Sequence, residues 1–448
     1  MWSNKTFTVL LGIALLMVLE LLFSPFTFSQ ELPVPKSGKI IELENAVAGG
    51  NSDAVRNFWA FVEANGTPLI EPIDGDQTNS LVTFVWRGNG ETRNVLVQTP
   101  YFQWNMGRRR MQQVGDTNVW YKTEKIASDT RFCYRFSVND PRLPIGNPYE
   151  WRQFTVPLLN DPFNSKHFTY VIDDDLPGDY ESIESLLDLP LAPKSPFIVF
   201  DKDVKHGELT KTQFKSNILP DERRIWYYTP PGYTTKKKYP LVIFLDGWDY
   251  LNHIPAQTTL DNLIAAGKIE PVVAVFVATP VTPGVREKEY YANSKFSDLM
   301  ISEILPLVRS KYSVFTKPDK TTVVGLSASG FAGAFLALHH SDQIGNVVMQ
   351  SPALWWGTDR YFENGEWLTR EYVDSKKLNI RFYVEVGKYE NQPATMRGGP
   401  IPLYAVRHFS DVLKLKGYKY FYNEFNGAHD YINWRQSLPD ALIKVLAK

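Results

Sequence analysis

The 448-residue chain is 44% hydrophobic and 22% charged, an ordinary globular composition that excludes intrinsic disorder and fibrous repeats, and its length at about 150 residues per domain suggests two or three units, of which two is favoured. Its 48 basic and 49 acidic side chains leave a formal charge of −1, so no global field draws it to nucleic acid or to an anionic membrane, and charge recognition must be local. The single cysteine, Cys133, excludes an intramolecular disulfide, a multi-thiolate zinc site and an iron–sulfur cluster, and its apolar, strand-like setting reads as core.

The chain opens with Lys5, an apolar run from Phe7 to Phe23, and then Ser24-Pro25, the layout of a secretory leader. Thr27 and Ser29 fit the small positions before a cut, which makes 1–29 a signal peptide, Gln30 the first mature residue, and the location periplasmic or secreted. An uncleaved anchor is the alternative, but the run is short for a bilayer and carries Glu20. Residues 30–50, polar and ending in Gly49-Gly50, read as a linker. Ala54, Val55, Phe58, Phe61 and Val62 recur at helical spacing. Short β-rich runs then begin at Val82, Val95, Val119 and Phe132, separated by Gly, Asn and Asp clusters, a rhythm that predicts an immunoglobulin-like β-sandwich over 51–190. Prolines recur from Pro141 to Pro196 and favour extended chain, and the boundary is set near Leu191.

From 191 to 448 the pattern alternates. Arg224–Tyr228, Leu241–Leu245, Val272–Val277, Thr322–Gly325 and Phe382–Val386 are strand-like, with helical stretches between most of them. Near-continuous apolar strands imply a mostly parallel sheet covered on both faces, an α/β architecture with ligands at the carboxyl ends of the strands.

Within that half, Thr321-Thr-Val-Val-Gly325-Leu-Ser327-Ala-Ser-Gly330 runs from a strand into a small-residue turn and a helix, the pattern of a nucleophile elbow. Gly325 supplies the small residue before Ser327, whereas Ser329 stands where glycine is usual. Ser329 as nucleophile, or both serines as helix caps, are the competing readings. A serine needs a base whose second nitrogen is oriented by an acceptor. His429 meets the expected order of serine, acid, histidine, following the strand-like Tyr418–Asn423. His339 and His340 sit at a helix end, and His167, His206, His253 and His408 lack such a context. For the acid, Glu390 follows a strand into a loop, Glu385 lies inside the strand, and Asp430 adjoins the histidine; Glu390 is favoured. Oxyanion donors are expected from the N–H of Ala328 and from Gly247 or Trp248, where the run Leu241–Leu245 ends in Asp246-Gly247-Trp248. The reading is a serine hydrolase acting on esters, with no metal and no cofactor.

Phe58-Trp59, Gly66-Thr-Pro-Leu-Ile-Glu71-Pro, Thr117-Asn-Val-Trp120-Tyr, Arg224-Ile-Trp-Tyr-Tyr, Leu245-Asp-Gly-Trp, Ser351-Pro-Ala-Leu-Trp-Trp and His429-Asp-Tyr-Ile-Asn-Trp-Arg occur in an order that resembles the enterochelin (ferric enterobactin) esterase family over nearly all of the mature chain. The resemblance implies a triad of Ser327, Glu390 and His429, a substrate-contacting Arg286, and hydrolysis of the trilactone of a catecholate siderophore to release iron. Ser329 departs from the pattern and puts the shape of the acyl pocket in question. A ferric tris-catecholate is trianionic, so local cations are required. Arg109 within Arg108–Arg110, Arg286 and Lys236–Lys238 are the candidates, the lysines reading better as a solvated loop. Trp104, Trp248, Trp355 and Trp356 are candidates to face catechol rings, with Trp356 favoured, although most tryptophans are core. The partner expected is this small-molecule ester, with no nucleic acid and no stable protein partner. A secreted feruloyl or acetyl xylan esterase and a non-catalytic siderophore-binding protein are the alternatives.

Overall fold

Helix-forming and strand-forming periodicities segregate along the chain as the sequence anticipates, with one addition at the start. The computed structural model describes residues 36–102, 106–141, 156–358, 364–394 and 399–447. The signal-peptide reading and Trp104 lie outside them. Residues 37–447 belong to one compact unit.

The stretch taken as a linker is in large part a helix, Gly38–Ala48. Ser37 caps it by accepting from the Ile40 N–H at 3.4 Å, and Ile40 and Leu43 are buried against Phe58, Trp59 and Val62 of the next helix, Ala54–Asn65. A serine cap followed by Ile40, Leu43 and Val47 is a helical signal, masked by the charged and polar residues between them.

The sandwich comprises β1 (Leu69–Ile73), β2 (Asp76–Arg87), β3 (Val95–Gln98), β4 (Gln112–Gln113), β5 (Val119–Ala127), β6 (Arg131–Val138), β7 (His167–Tyr170) and β8 (Ser182–Asp188). They form two sheets, ordered β1-β2-β5-β4 and β3-β6-β8-β7, all of whose pairs are antiparallel. Two-residue alternation explains the run of buried residues in β2. Val82 and Phe84 point between the sheets toward Phe132, Tyr134 and Phe136, while Val85 points outward under the two helices with Leu69, Val119 and Tyr121. Each fully buried phenylalanine of this kind contributes roughly 2–3 kcal/mol. Cys133 is buried beside Phe168 and Ile432.

The second sheet contains β9 (Glu208–Phe214), β10 (Arg223–Thr229), β11 (Leu241–Leu245), β12 (Val273–Val277), β13 (Thr321–Leu326), β14 (Asn346–Gln350), β15 (Arg381–Gly387) and β16 (Lys419–Phe425). Their order is β16-β15-β14-β13-β11-β12-β10-β9. β10 runs antiparallel to β9 and β12, and β11 to β16 form the parallel part with β12. Leu241, Ile243 and Leu245 feed one hydrophobic layer and Val242 and Phe244 the other, which is why β11 reads as an unbroken apolar run. The sequence reading omitted β9, an edge strand with largely exposed side chains, and β14, five residues ending in a polar Gln350. From β11 the chain crosses to β12 on one side and later to β13 on the other. A crevice therefore opens at the carboxyl ends of β11 and β13.

Candidate active site

Three neighbouring parallel strands, β11, β13 and β14, each deliver a non-glycine residue with positive φ at their carboxyl end: Asp246 (54°), Ser327 (51°) and Ser351 (44°). L-residues avoid this region, and such strain persists only where the surroundings enforce it.

At β13, Leu326 is extended and the helix Ser327–His339 begins at once. Gly325 is required: a Cβ there would lie 2.3 Å from the Ser329 carbonyl oxygen. The Ser329 hydroxyl accepts from the Leu326 N–H and donates to the Leu326 carbonyl, both at 2.8 Å. Ser329 is fully buried. It is therefore an internal brace of the turn and neither the nucleophile nor a wall of the acyl pocket. Ser327 is partly exposed and lines a cavity of about 520 Å³ with Asp246, Trp248, Arg286, His429 and Trp434.

Glu390 follows β15 into a loop. Its Oε1 accepts from the Ser351 hydroxyl at 2.6 Å and from the Gly387 N–H at 2.8 Å, and its Oε2 lies 2.8 Å from His429 Nδ1. The Trp434 indole N–H donates to Ser351 Oγ at 3.0 Å, and its ring meets the His429 imidazole edge-on with centroids 4.8 Å apart. The Glu390 side chain is 4% exposed and that of His429 43%. A buried carboxylate thus holds Nδ1 while the imidazole remains accessible, the arrangement a general base needs.

The other two carboxylates face elsewhere. Glu385 is fully buried and accepts from Gln350, Tyr383 and Ser437, and burial raises its carboxyl to about 7. Asp430 accepts from the Tyr170 hydroxyl at 2.9 and 3.0 Å and from the Ile432 N–H at the start of the helix Tyr431–Leu446. Burial raises it to about 6.

Ala328 and Trp248 each belong to the first turn of a helix, Ser327–His339 and Gly247–Asn252, where N–H groups have no carbonyl one turn back to bond. Gly247 also has a packing role. A Cβ on it would lie 2.4 Å from the Phe276 backbone in β12, so its glycine is needed for packing against that strand. Asp246, almost completely buried, is held by a bidentate pair with Arg286, Nε to Oδ1 at 2.9 Å and Nη2 to Oδ2 at 2.6 Å. Its backbone N–H donates to the Tyr290 hydroxyl at 3.0 Å. Arg286 therefore reaches the cavity with its charge balanced by Asp246, and it braces the loop that carries Trp248. Arg224, placed by the sequence in a strand and a family-like segment but not among the candidate cations, lines the same cavity and is bound to Asp173 and Asp175.

A second cavity, about 530 Å³, lies between the sandwich and the α/β part and shares His429 and Asp430 with the first. Arg109 and Arg135 line it from the sandwich, and Trp355 and Tyr389 from the other side. Arg109 donates to the Gln98 side chain, and Arg135 pairs with Glu184 at 3.0 Å. The arginine run divides: Arg108 lies over Tyr101 and Phe102, and Arg110 lines a separate cavity on the sandwich. Trp356, favoured for the ligand, lines neither site cavity as described; it stacks on Tyr291 at 5.0 Å and packs against Phe331 and Trp367. Its neighbour Trp355 is the one in the interdomain cavity. An adjacent pair of tryptophans cannot be told apart without knowing which way the turn faces. Lys236–Lys238 are exposed in the loop leading into β11, at the end of the strand opposite Asp246.

Comparison with known proteins agrees with this fold. Residues 216–445 match the family model "Putative esterase", and residues 81–197 match "Enterochelin esterase, N-terminal". The iron(III) enterobactin esterase of Escherichia coli K12 is 26% identical over 382 residues, covering 81% of this chain and 90% of that protein. The iron(III) salmochelin esterase of Escherichia coli O6:H1 is 23% identical over 420 residues, covering 90% and 96%. The crystal structure of ferric enterobactin esterase from Salmonella typhimurium shares the fold, with a TM-score of 0.70 at 23% identity over 86% of this chain and 98% of that one. An α/β-hydrolase domain joined to this amino-terminal module makes the chain a member of the enterochelin esterase family, a carboxylic ester hydrolase.

Proposed function

We propose that Ser327, His429 and Glu390 form a catalytic triad that hydrolyses the trilactone ester bonds of a catecholate siderophore. The observation that carries the proposal is the 2.8 Å bond between His429 Nδ1 and the buried Glu390, beside the cavity onto which Ser327 opens from a strained elbow. The Ser327 hydroxyl attacks the ester carbonyl as His429 Nε2 takes its proton, and Glu390 stabilises the imidazolium. The N–H groups of Ala328 and Trp248 bind the oxyanion. Collapse breaks the C–O bond, His429 returns the proton to the leaving alkoxide, and water, activated by the same histidine, releases the acyl group as the acid.

The siderophore as substrate rests on the names of the relatives and on the amino-terminal module, which favours it over a feruloylated or acetylated sugar. Its iron-bound trianion finds Arg224 and Arg286 already paired with carboxylates beside Ser327. The interdomain cavity beside it adds Arg109 and Arg135, the latter itself paired with Glu184. The leader-like residues 1–29 support export, and amino-terminal sequencing of the mature protein should begin at Gln30.

The test is to incubate the mature protein with ferric enterobactin, its linear trimer and a feruloylated sugar, and to identify products by mass. Linearised and then monomeric siderophore is the expected result. Feruloyl release without siderophore cleavage overturns the substrate, and no turnover of any ester, activated short-chain esters included, overturns the triad.

A further inference from the structure

The loops that carry the base and the acid are tied to the sandwich. The Tyr170 hydroxyl in β7 holds both carboxylate oxygens of Asp430, the residue next to His429. Thr130 Oγ1, just before β6, is 2.8 Å from the hydroxyl of Tyr389, the residue next to Glu390. Asn426, at the entrance to the histidine loop, donates to Asp129 at 2.7 Å. The Tyr389 ring meets Tyr101 of the sandwich edge-on with centroids 5.1 Å apart, and Ile432 is buried with Cys133 and Phe168. The two loops are also bonded to each other, Tyr389 N–H to the Gly427 carbonyl at 3.0 Å. Hydrogen bonds to the nucleophile elbow come instead from within the α/β part.

We propose that the sandwich is part of the catalytic apparatus, with Tyr170 and Thr130 as positioning residues that hold His429 and Glu390 in register with Ser327. Geometry is what this supplies: a displacement of a catalytic group by about 1 Å can cost 10²-fold in rate. Loss of a hydroxyl that sets a neighbour of His429 therefore lowers turnover even on a small activated ester.

The inference rests on the triad, so Ser327→Ala is measured beside the positioning variants, with p-nitrophenyl acetate as substrate. Tyr170→Phe should lower kcat about tenfold; Thr130→Val, at a residue that lines neither site cavity, should lower it about threefold with KM changed less than about twofold, since there ester binding is untouched while transition-state geometry is lost. Thr130→Ser, which restores a hydroxyl, should recover the loss. The downfield imidazole proton between Nδ1 and Glu390 should shift or broaden in the NMR spectrum of Tyr170→Phe. Tyr134→Phe is the control. Its hydroxyl bonds Asp161 at 2.7 Å within the sandwich, so its loss should lower the Tm with kcat retained. Should Tyr170→Phe fail to fold, Thr130→Val decides. Full kcat and an unmoved imidazole resonance in folded positioning variants, with Ser327→Ala inactive, overturn this proposal alone. Activity in Ser327→Ala overturns the triad on which it rests.

Discussion

The proposed nucleophile and its proposed base are secured in opposite ways. Ser327 stands on a turn that holds itself: Gly325 makes room for it, Ser329 bonds back to Leu326, and the N–H of Ala353 binds the Ser327 carbonyl at 2.9 Å. His429 and Glu390 stand on loops whose neighbours reach partners in the other domain, Tyr170 to Asp430 being 260 residues apart. The first is braced within one part of the α/β sheet, by 325–329 and Ala353. The second is flanked by hydrogen bonds that cross between the domains.

Four changes separate the two halves, and the largest effect belongs to the elbow. Ser327→Ala should reduce kcat by on the order of 10⁴–10⁶ with the fold intact, read by single-turnover kinetics and the far-ultraviolet spectrum. Glu390→Gln should cost on the order of 10²–10⁴ in kcat, because the amide no longer stabilises the imidazolium. A rate undiminished in that variant would remove Glu390 from the triad. Gly325→Ala tests the self-contained turn: its Cβ meets backbone at 2.3 Å, so denaturant unfolding should show a loss of about 3 kcal/mol or more.

The smallest effect separates the two glutamates of the acid segment. Glu385 has an ordinary value of 4.5 and is raised to about 7 by burial in the folded state. The folded protein therefore binds this proton more tightly than the unfolded chain. The resulting stabilisation is complete below about pH 4.5 and is lost as the pH rises through about 7. Asp430, raised to about 6, acts in the same direction at slightly lower pH. Glu385→Gln should flatten the fall in unfolding free energy between pH 5 and 8 by an amount on the order of 2 kcal/mol, read by denaturant unfolding across that range. Its kcat should remain near that of the parent, whereas Glu390→Gln should change kcat and leave this pH slope in place.

Much of this was legible in the chain because its causes are local. Small residues around Ser327, an apolar run ending in Asp246-Gly247-Trp248, and alternation in β2 and β11 each follow from backbone sterics within a few residues. Where apolar patterns are sparse or short, the reading failed. The helix Gly38–Ala48 passed for a linker because only Ile40 and Leu43 are buried along it. The edge strand β9 lacks an apolar stripe, and β14 is only five residues long.

The sequence by itself determined the two domain types and offered the proposed order of serine, acid and histidine, since periodicity and turn chemistry are properties of neighbouring residues. Only the tertiary structure decided which carboxylate meets His429, that Arg286 is balanced by Asp246, that Trp355 rather than Trp356 enters the interdomain cavity, and that Gly247 packs against β12. Each of these depends on which way a side chain faces once distant strands and loops come together. That orientation is set by hydrogen bonds and packing between residues tens to hundreds of positions apart, which no local pattern records.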